Sequence, residues 1–145
     1  MIISNDKARF DYEILETLEA GIVLYGYEVK SVRAGKIAIK GSYVKILGGQ
    51  AYLVGATIAP YQPGNMPKDY DDQRTRTLLL KKSELRYLTG KSQERGLTLV
   101  PLKVFDHHGL LKLEIGIGRG KKKYDKRETL KKRDQKREVE RSMKN

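Results

Sequence analysis

Apolar and polar residues alternate along most of this chain with the period of strands, and the interruptions are short. In "FDYEILETLEAGIVL", Tyr, Ile and Leu alternate in part with acidic residues, which predicts a strand. In "YGYEVKSVRAGK" the period changes. Tyr25, Val29 and Val32 recur at helical spacing and Gly35 supplies a stop, predicting a helix of about two to three turns. "SYVKILGGQAYLVGATIAP" returns to strand chemistry on both sides of Gly48-Gly49, a glycine pair that accepts the positive φ of a tight hairpin. "YQPGNMPKDYDDQR" has no apolar period and reads as a loop. "TRTLLL" predicts a strand, and "KKSELRYLTGKSQERG" a helix capped at Ser83 and ending near Gly96. "LTLVPLKVF" and "LLKLEIGIG", joined through "DHHG", form a second predicted hairpin, with Pro101 marking an edge or a bulge.

Five or six antiparallel strands with two helices between them cannot bury both faces as a small open sheet, and closure removes exposed edges. The expected fold is therefore mainly β. It is a small closed OB-like antiparallel barrel carrying two to three peripheral helices, with an open α+β sheet as the alternative. At 145 residues the chain is one domain's worth. The apolar period ends in "IGIGRGKKKY", where Gly116, Gly118 and Gly120 are expected to relax the backbone. Residues 1–118 are thus read as the barrel and 119–145 as a basic tail.

Charge sharpens that division. The net charge is +12, and residues 119–145 hold 13 basic against 5 acidic side chains, so the tail carries +8 of the excess. A balance this basic points to a polyanion, nucleic acid or ribosome before an anionic membrane. No apolar run is long enough for a spanning helix, no signal-peptide pattern opens the chain, and cysteine is absent, so a cytoplasmic location is expected. The tail buries too little to order itself in water, yet it lacks Pro and Gly and is rich in helix formers. Asp125 and Glu128 stand as in a capping box, and Glu128–Lys132 and Glu140–Lys144 are favourably oriented pairs. The expectation is a tail disordered when free and helical when bound.

Catalytic patterns are weak. His107-His108 fall in a predicted turn, where a pair is usually solvated, and no third ligand is placed. Asp69, Asp71 and Asp72 fit no defined cation loop. P-loop, nucleophile-elbow and dinucleotide patterns are missing, and no cofactor, metal or enzymatic role is expected. "GGQ" at Gly48–Gln50 mimics a hydrolase tripeptide but sits in a predicted hairpin turn. The basic clusters carry more. Lys7 and Arg9 fall two apart, on one side of an extended chain. Lys30, Arg33 and Lys36 fall three apart, a stripe on one helical face. A charged stripe is usually only a solvated face, but several clusters with a small barrel and a basic tail favour RNA, held with strong salt dependence. Tyr124, alone in the basic run, suits base stacking, and Asp125 suits either an N-cap or a polar contact.

"NDKARFDY", "LEAGIVLYGYEVKSVRAGK", "SYV", "TRTLLL" and "GKKKYDKR", in that order, closely resemble the small protein B family of SsrA-binding proteins, from Asn5 to the ending "RSMKN". The resemblance implies an OB-like body that grips the tRNA-like domain of transfer-messenger RNA. It implies delivery of that RNA to stalled 70S ribosomes, with the protein standing in for a missing anticodon arm. The tail would enter the empty mRNA channel near the 16S decoding centre as a helix. Elongation factor Tu would take part only through the charged RNA, and a monomer is expected. By position, Asn5, Glu19 and Leu79 match RNA-binding positions, and Lys7, Arg9, Lys30, Arg33 and Lys36 the basic surface. Gly120, Lys121, Lys122, Asp125, Lys126 and Arg127 match the tail motif, Tyr124 its stacking position, and Met143 the distal tail. Phe10 stands where many members have His, Tyr27 where Trp is common, and Ser142 where an apolar residue is frequent.

Overall fold

A computed structural model describes residues 2–122, 126, 127, 130–135 and 137. The chain runs β1 (Ile2–Ser4), α1 (Asp6–Asp11), β2 (Tyr12–Ile22), α2 (Gly26–Arg33), β3 (Ile37–Ala38), β4 (Tyr43–Leu47), β5 (Gln50–Val54) and β6 (Thr57–Ile58). A 3₁₀ turn (Pro63–Asn65), β7 (Arg76–Leu79), α3 (Lys82–Gln93), β8 (Leu97–His107) and β9 (Leu110–Gly120) follow. No helix among the described residues is long and apolar enough to cross a membrane.

The two hairpins form where turn chemistry demands them. Gly48 (φ +59°) and Gly49 (φ +75°) join β4 to β5, and His108 (φ +50°) and Gly109 (φ +81°) join β8 to β9. Positive φ at both central residues matches the turn's twist to that of the strands. The "GGQ" tripeptide is thus turn and strand start. Asp106 accepts the Gly109 N–H at 2.9 Å and stabilises the second turn.

Seven strands pair antiparallel in the order β1-β8-β9-β2-β7-β5-β4. The sheet does not close into the expected barrel. The ladder has two ends, β1 and β4, and the sheet is open. Ile37–Ala38 and Thr57–Ile58 pair with each other as a separate two-stranded sheet. Pro101 marks a bulge, where the register slips between Pro101 and Lys103; β1 borders β8 only from Lys103 to Phe105, so Pro101 also lies on a stretch paired with β9 alone.

The inner face carries the core. Leu113, Ile115 and Ile117 alternate inward along β9 and meet Leu99, Val104, Leu53, Leu78 and Ala20, with Val32 of α2 and Leu88 of α3 packed on them. A smaller cluster lies on the other face, beneath α1, where Ala8, Val100 and Leu102 pack with Tyr12 and Ile14. It explains the glycines read as a hinge. A Cβ on Gly116 would lie 2.8 Å from Leu102 Cδ1, and one on Gly118 would lie 3.0 Å from Tyr12 Cβ. These two glycines sit inside β9 and admit the second cluster; the strand continues to Gly120.

Three local expectations also change. Residues 6–11, read as extended, form α1, because Asn5 caps it: its Oδ1 accepts the Ala8 N–H at 3.4 Å. α3 is capped at Lys81, two residues before Ser83, with the Lys81 N–H donating to Glu84 at 3.0 Å. α2 ends at Arg33, and Gly35 at φ +78° turns the chain, so Lys36 leaves the helical stripe. In the tail, residues 126, 127, 130–135 and 137 are helical. Tyr124, Asp125, Glu128, Ser142 and Met143 lie outside the described residues.

Candidate nucleic-acid interface

Strand register brings distant residues onto one outward sheet face. Glu19 of β2 stands opposite Glu114 of β9, Gly21 opposite both Lys112 and Leu79, and Glu114 opposite Lys103 of β8. On the other flank Thr77 of β7 faces Tyr52 of β5, which faces Lys45 of β4. Period two therefore places Glu19 and Leu79, sixty residues apart, on adjoining strands of one face. Leu79 is 58% exposed while Leu78 beside it is buried.

Glu114 is held between Arg9, whose Nη2 donates to it at 3.2 Å, and Lys103 Nζ at 3.3 Å. Glu19 is exposed and has no ion pair among the described residues. A carboxylate left open in a basic protein suits donors on a base edge better than phosphate. Beside it a cleft of about 410 Å³ is lined by Gly21, Leu24, Val29, Leu79, Leu110 and the cations Arg33 and Lys112. Leu79 and Leu110, at 58% and 64% exposure, give it an apolar floor open to solvent. The lining suits a nucleotide, its base against the leucines and its phosphate toward the two cations.

α2 supplies a second rim. Lys30 is exposed at the edge of a hollow shared with Arg33, Tyr61 and Gln62. Arg33 donates to the Gly109 carbonyl at 2.8 Å and reaches Asp106 at 3.7 Å, which ties the helix to the β8–β9 turn. Lys36 donates to the Tyr61 carbonyl at 3.3 Å and lies 5.6 Å from that ring's centre. From Val29 to Lys68 the sequence holds no acidic residue and six cations. Within that stretch Tyr43, Lys45 and Leu47 are exposed on β4, beside Tyr52. This hairpin face escaped the sequence reading; the acid-free run was its available signal.

The α2 orientation rests on a buried ion cluster. Glu28 and Arg76 are both fully buried. Arg76 donates to Glu28 Oε2 through Nη2 at 2.8 Å and Nε at 3.3 Å, and through Nη1 to the Ala56 carbonyl at 2.7 Å. Arg74 and the Tyr25 N–H donate to Glu28 Oε1, and the Tyr70 hydroxyl reaches Oε2 at 3.2 Å. Burial pushes the Glu28 carboxyl up, but the bonds from Arg74, Tyr25 and Arg76 outweigh it and hold the group below its ordinary value. Burial and the neighbouring Glu28 charge push the Tyr70 hydroxyl up to about 12.

Asn5 is not open to a ligand in the same way as Lys30. It is buried, its Nδ2 donates to the carbonyls of Pro101 at 2.9 Å and Ile39 at 3.4 Å, and its N–H bonds the Leu102 carbonyl at 2.8 Å. It locks α1 against the β8 bulge. Lys7 is exposed and pairs with Asp11 at 3.1 Å. At the tail root, Gly120 ends β9 in open space, the Lys121 N–H donates to the Asp11 carbonyl at 2.9 Å, and Lys122 accepts from the Lys126 N–H at 3.2 Å. Lys126 pairs with Asp11 at 3.2 Å, and Arg127 is exposed.

A protein-family model described as "SmpB protein" matches residues 2–145. Among relatives, an SsrA-binding protein of Leuconostoc mesenteroides is 55% identical over 144 residues, spanning 99% of this chain and 93% of that protein. One from Thermosynechococcus vestitus is 49% identical, spanning 99% of this chain and 95% of that protein. A solved structure described as "tmRNA-SmpB: a journey to the center of the bacterial ribosome" superimposes with a TM-score of 0.70 at 50% identity, over 84% of this chain and 85% of the other.

Proposed function

The chain belongs to the SmpB protein family, and from that premise we propose that it is the RNA-binding adaptor of trans-translation. It binds the tRNA-like domain of transfer-messenger RNA, completes its tRNA mimicry and delivers it to stalled ribosomes. The observation that carries this reading is the family match, which runs through body and tail alike, from residue 2 to residue 145. The surface supports it: Leu79, Arg33 and Lys112 line one cleft with other apolar side chains, and Glu19 stands two residues along β2 from its Gly21.

Roles divide accordingly. Lys7, Arg9, Lys30, Arg33 and Lys36 supply phosphate contacts, Glu19 and Leu79 meet bases, and Asn5 holds α1 in place for them. The tail, with Lys121, Lys122, Tyr124, Asp125, Lys126, Arg127 and Met143, exchanges between open chain and helix when free. On the 70S ribosome it stays helical, in the empty mRNA channel against 16S RNA. The adaptor works as a cytoplasmic monomer and meets elongation factor Tu only through the charged RNA.

Deleting residues 121–145 tests this division. Affinity for the tRNA-like domain in a gel shift is expected to survive, and tagging in a reconstituted translation reaction to vanish. Loss of RNA binding on truncation refutes the two-part reading, and equal affinity for bulk tRNA refutes the specific partner.

A further inference from the structure

Helix α1 presents two adjacent side chains, Phe10 and Asp11, that both meet the tail. Asp11 makes three contacts there and beside it. Its carbonyl accepts the Lys121 N–H at 2.9 Å, its Oδ1 lies 3.2 Å from Lys126 Nζ, and its Oδ2 lies 3.1 Å from Lys7 Nζ. Phe10, half-buried, has Lys126 Nζ and Arg133 Cζ each 5.8 Å from its ring centre. Residues 126 and 133 are seven apart, about two helical turns, so they fall on one side of a helix. An aromatic face attracts cations at this range. Three kinds of contact therefore converge on two residues: a main-chain hydrogen bond, an ion pair and a doubly occupied ring.

We propose that Phe10 and Asp11 form a docking seat for the root of the chain's own C-terminal helix, fixing the direction in which the tail leaves the body. The occupant is the segment holding Lys121, Lys126 and Arg133. Charge complementarity selects it: residues 119–145 carry a net +8, and Asp11 offers a carboxylate at the strand end from which the tail departs. Lys7 and Lys126 draw the Asp11 carboxyl below its ordinary range, in keeping with a carboxylate shared by two ammonium groups. Because they share it, a phosphate that takes Lys7 leaves Asp11 to Lys126 alone. RNA contact on α1 and tail direction are thereby linked through one side chain. This linkage, and the importance of the seat for tagging, rest on the proposed function; the seat itself does not.

The test uses the full free protein. The chain has no cysteine, so Asp134→Cys, at an exposed helical tail position, carries a single nitroxide label. The label is expected to broaden the amide resonances of Phe10 and Asp11. Asp11→Lys, and separately Lys126→Glu, are expected to lower the docked-to-undocked ratio by roughly fivefold to tenfold and to remove most of that broadening. The charge-swapped pair Asp11→Lys with Lys126→Glu restores it. Lys126 lies outside the packed body, so its variant separates loss of docking from loss of folding. Broadening that is absent from the labelled parent, or unchanged by Lys126→Glu, overturns the seat. A second arm measures tagging: Lys126→Glu with Asp11→Lys recovers activity relative to either single change. If the label arm succeeds and the gel shift shows no preference for transfer-messenger RNA, the seat stands and the proposed function falls.

Discussion

Replacing Glu28 by Gln keeps the volume of the side chain and removes its charge, leaving the fully buried Arg76 guanidinium without a counter-ion. Glu28 accepts from Tyr25, Arg74 and Arg76 and is reached by Tyr70, so the change weakens every bond at the junction of α2 and the loop before β7. Forming such a pair from water contributes little, because desolvating both ions offsets their attraction; stranding one partner costs about 3–5 kcal/mol. Against a domain stability of about 5–15 kcal/mol this is a large fraction. At roughly 3 °C per kcal/mol for a chain of this size, the midpoint should fall by about 9–15 °C. Urea and thermal unfolding by circular dichroism give the number. Glu28→Leu combined with Arg76→Met separates a stranded charge from lost packing, and the double variant should be more stable than Glu28→Gln alone. The acid limb follows from the lowered carboxyl. Its stabilisation is fully present above the unfolded value of 4.5 and is lost as pH falls through the lower folded value. A Glu28→Gln loss below about 1 kcal/mol, the size of an exposed pair, refutes the reasoning that the cluster anchors α2.

Gly116→Ala places a Cβ 2.8 Å from Leu102 Cδ1 and should destabilise by about 1–3 kcal/mol, with Leu102→Ala relieving the clash while opening its own cavity; unfolding midpoints of both singles and the double check this. Glu19→Ala should weaken RNA binding in a gel shift yet leave the circular dichroism spectrum and melting unchanged, since Glu19 is exposed and faces the like charge of Glu114; an unfolded variant makes Glu19 structural. The Asp11 side-chain carbonyl resonance should titrate with a midpoint below 3.8, because Lys7 and Lys126 stabilise the ionised form, and Lys126→Glu should raise that midpoint.

What was legible in the sequence was local. Gly48-Gly49 and the His108-Gly109 turn encode their hairpins through φ alone, and Gly35 ends α2 for the same reason, whereas α3 stops at Gln93, short of Gly96. What was not legible depends on partners brought from afar. Asn5 reads as one polar residue in "NDKAR", yet its cap and its bonds to Pro101 and Ile39 convert an apparently extended stretch into α1. That conversion moves Lys7 onto Asp11 and Arg9 onto Glu114, so the period-two argument for those cations fails although both remain exposed. Barrel closure follows from edge avoidance, a global tendency, whereas the ladder ends at β1 and β4, and β3 and β6, two residues each, pair apart from it. Glu28 and Arg76 stand 48 residues apart, and neither position looks buried in a charged helix or a threonine-rich strand. The candidate site shows the same split. Periodicity cannot say which leucine of "TLLL" faces out, and only pairing with Gly21 sets Leu79 beside Glu19's strand and Leu78 in the core. Function was nearer the surface of the sequence than fold was, because the family's ordered motifs mark residues by identity, whereas burial and pairing are decided only when the sheet assembles. α1 is where the two kinds of information meet. Its composition announces basic contacts, but its helical form alone lets one carboxylate, Asp11, stand between a body lysine and a tail lysine.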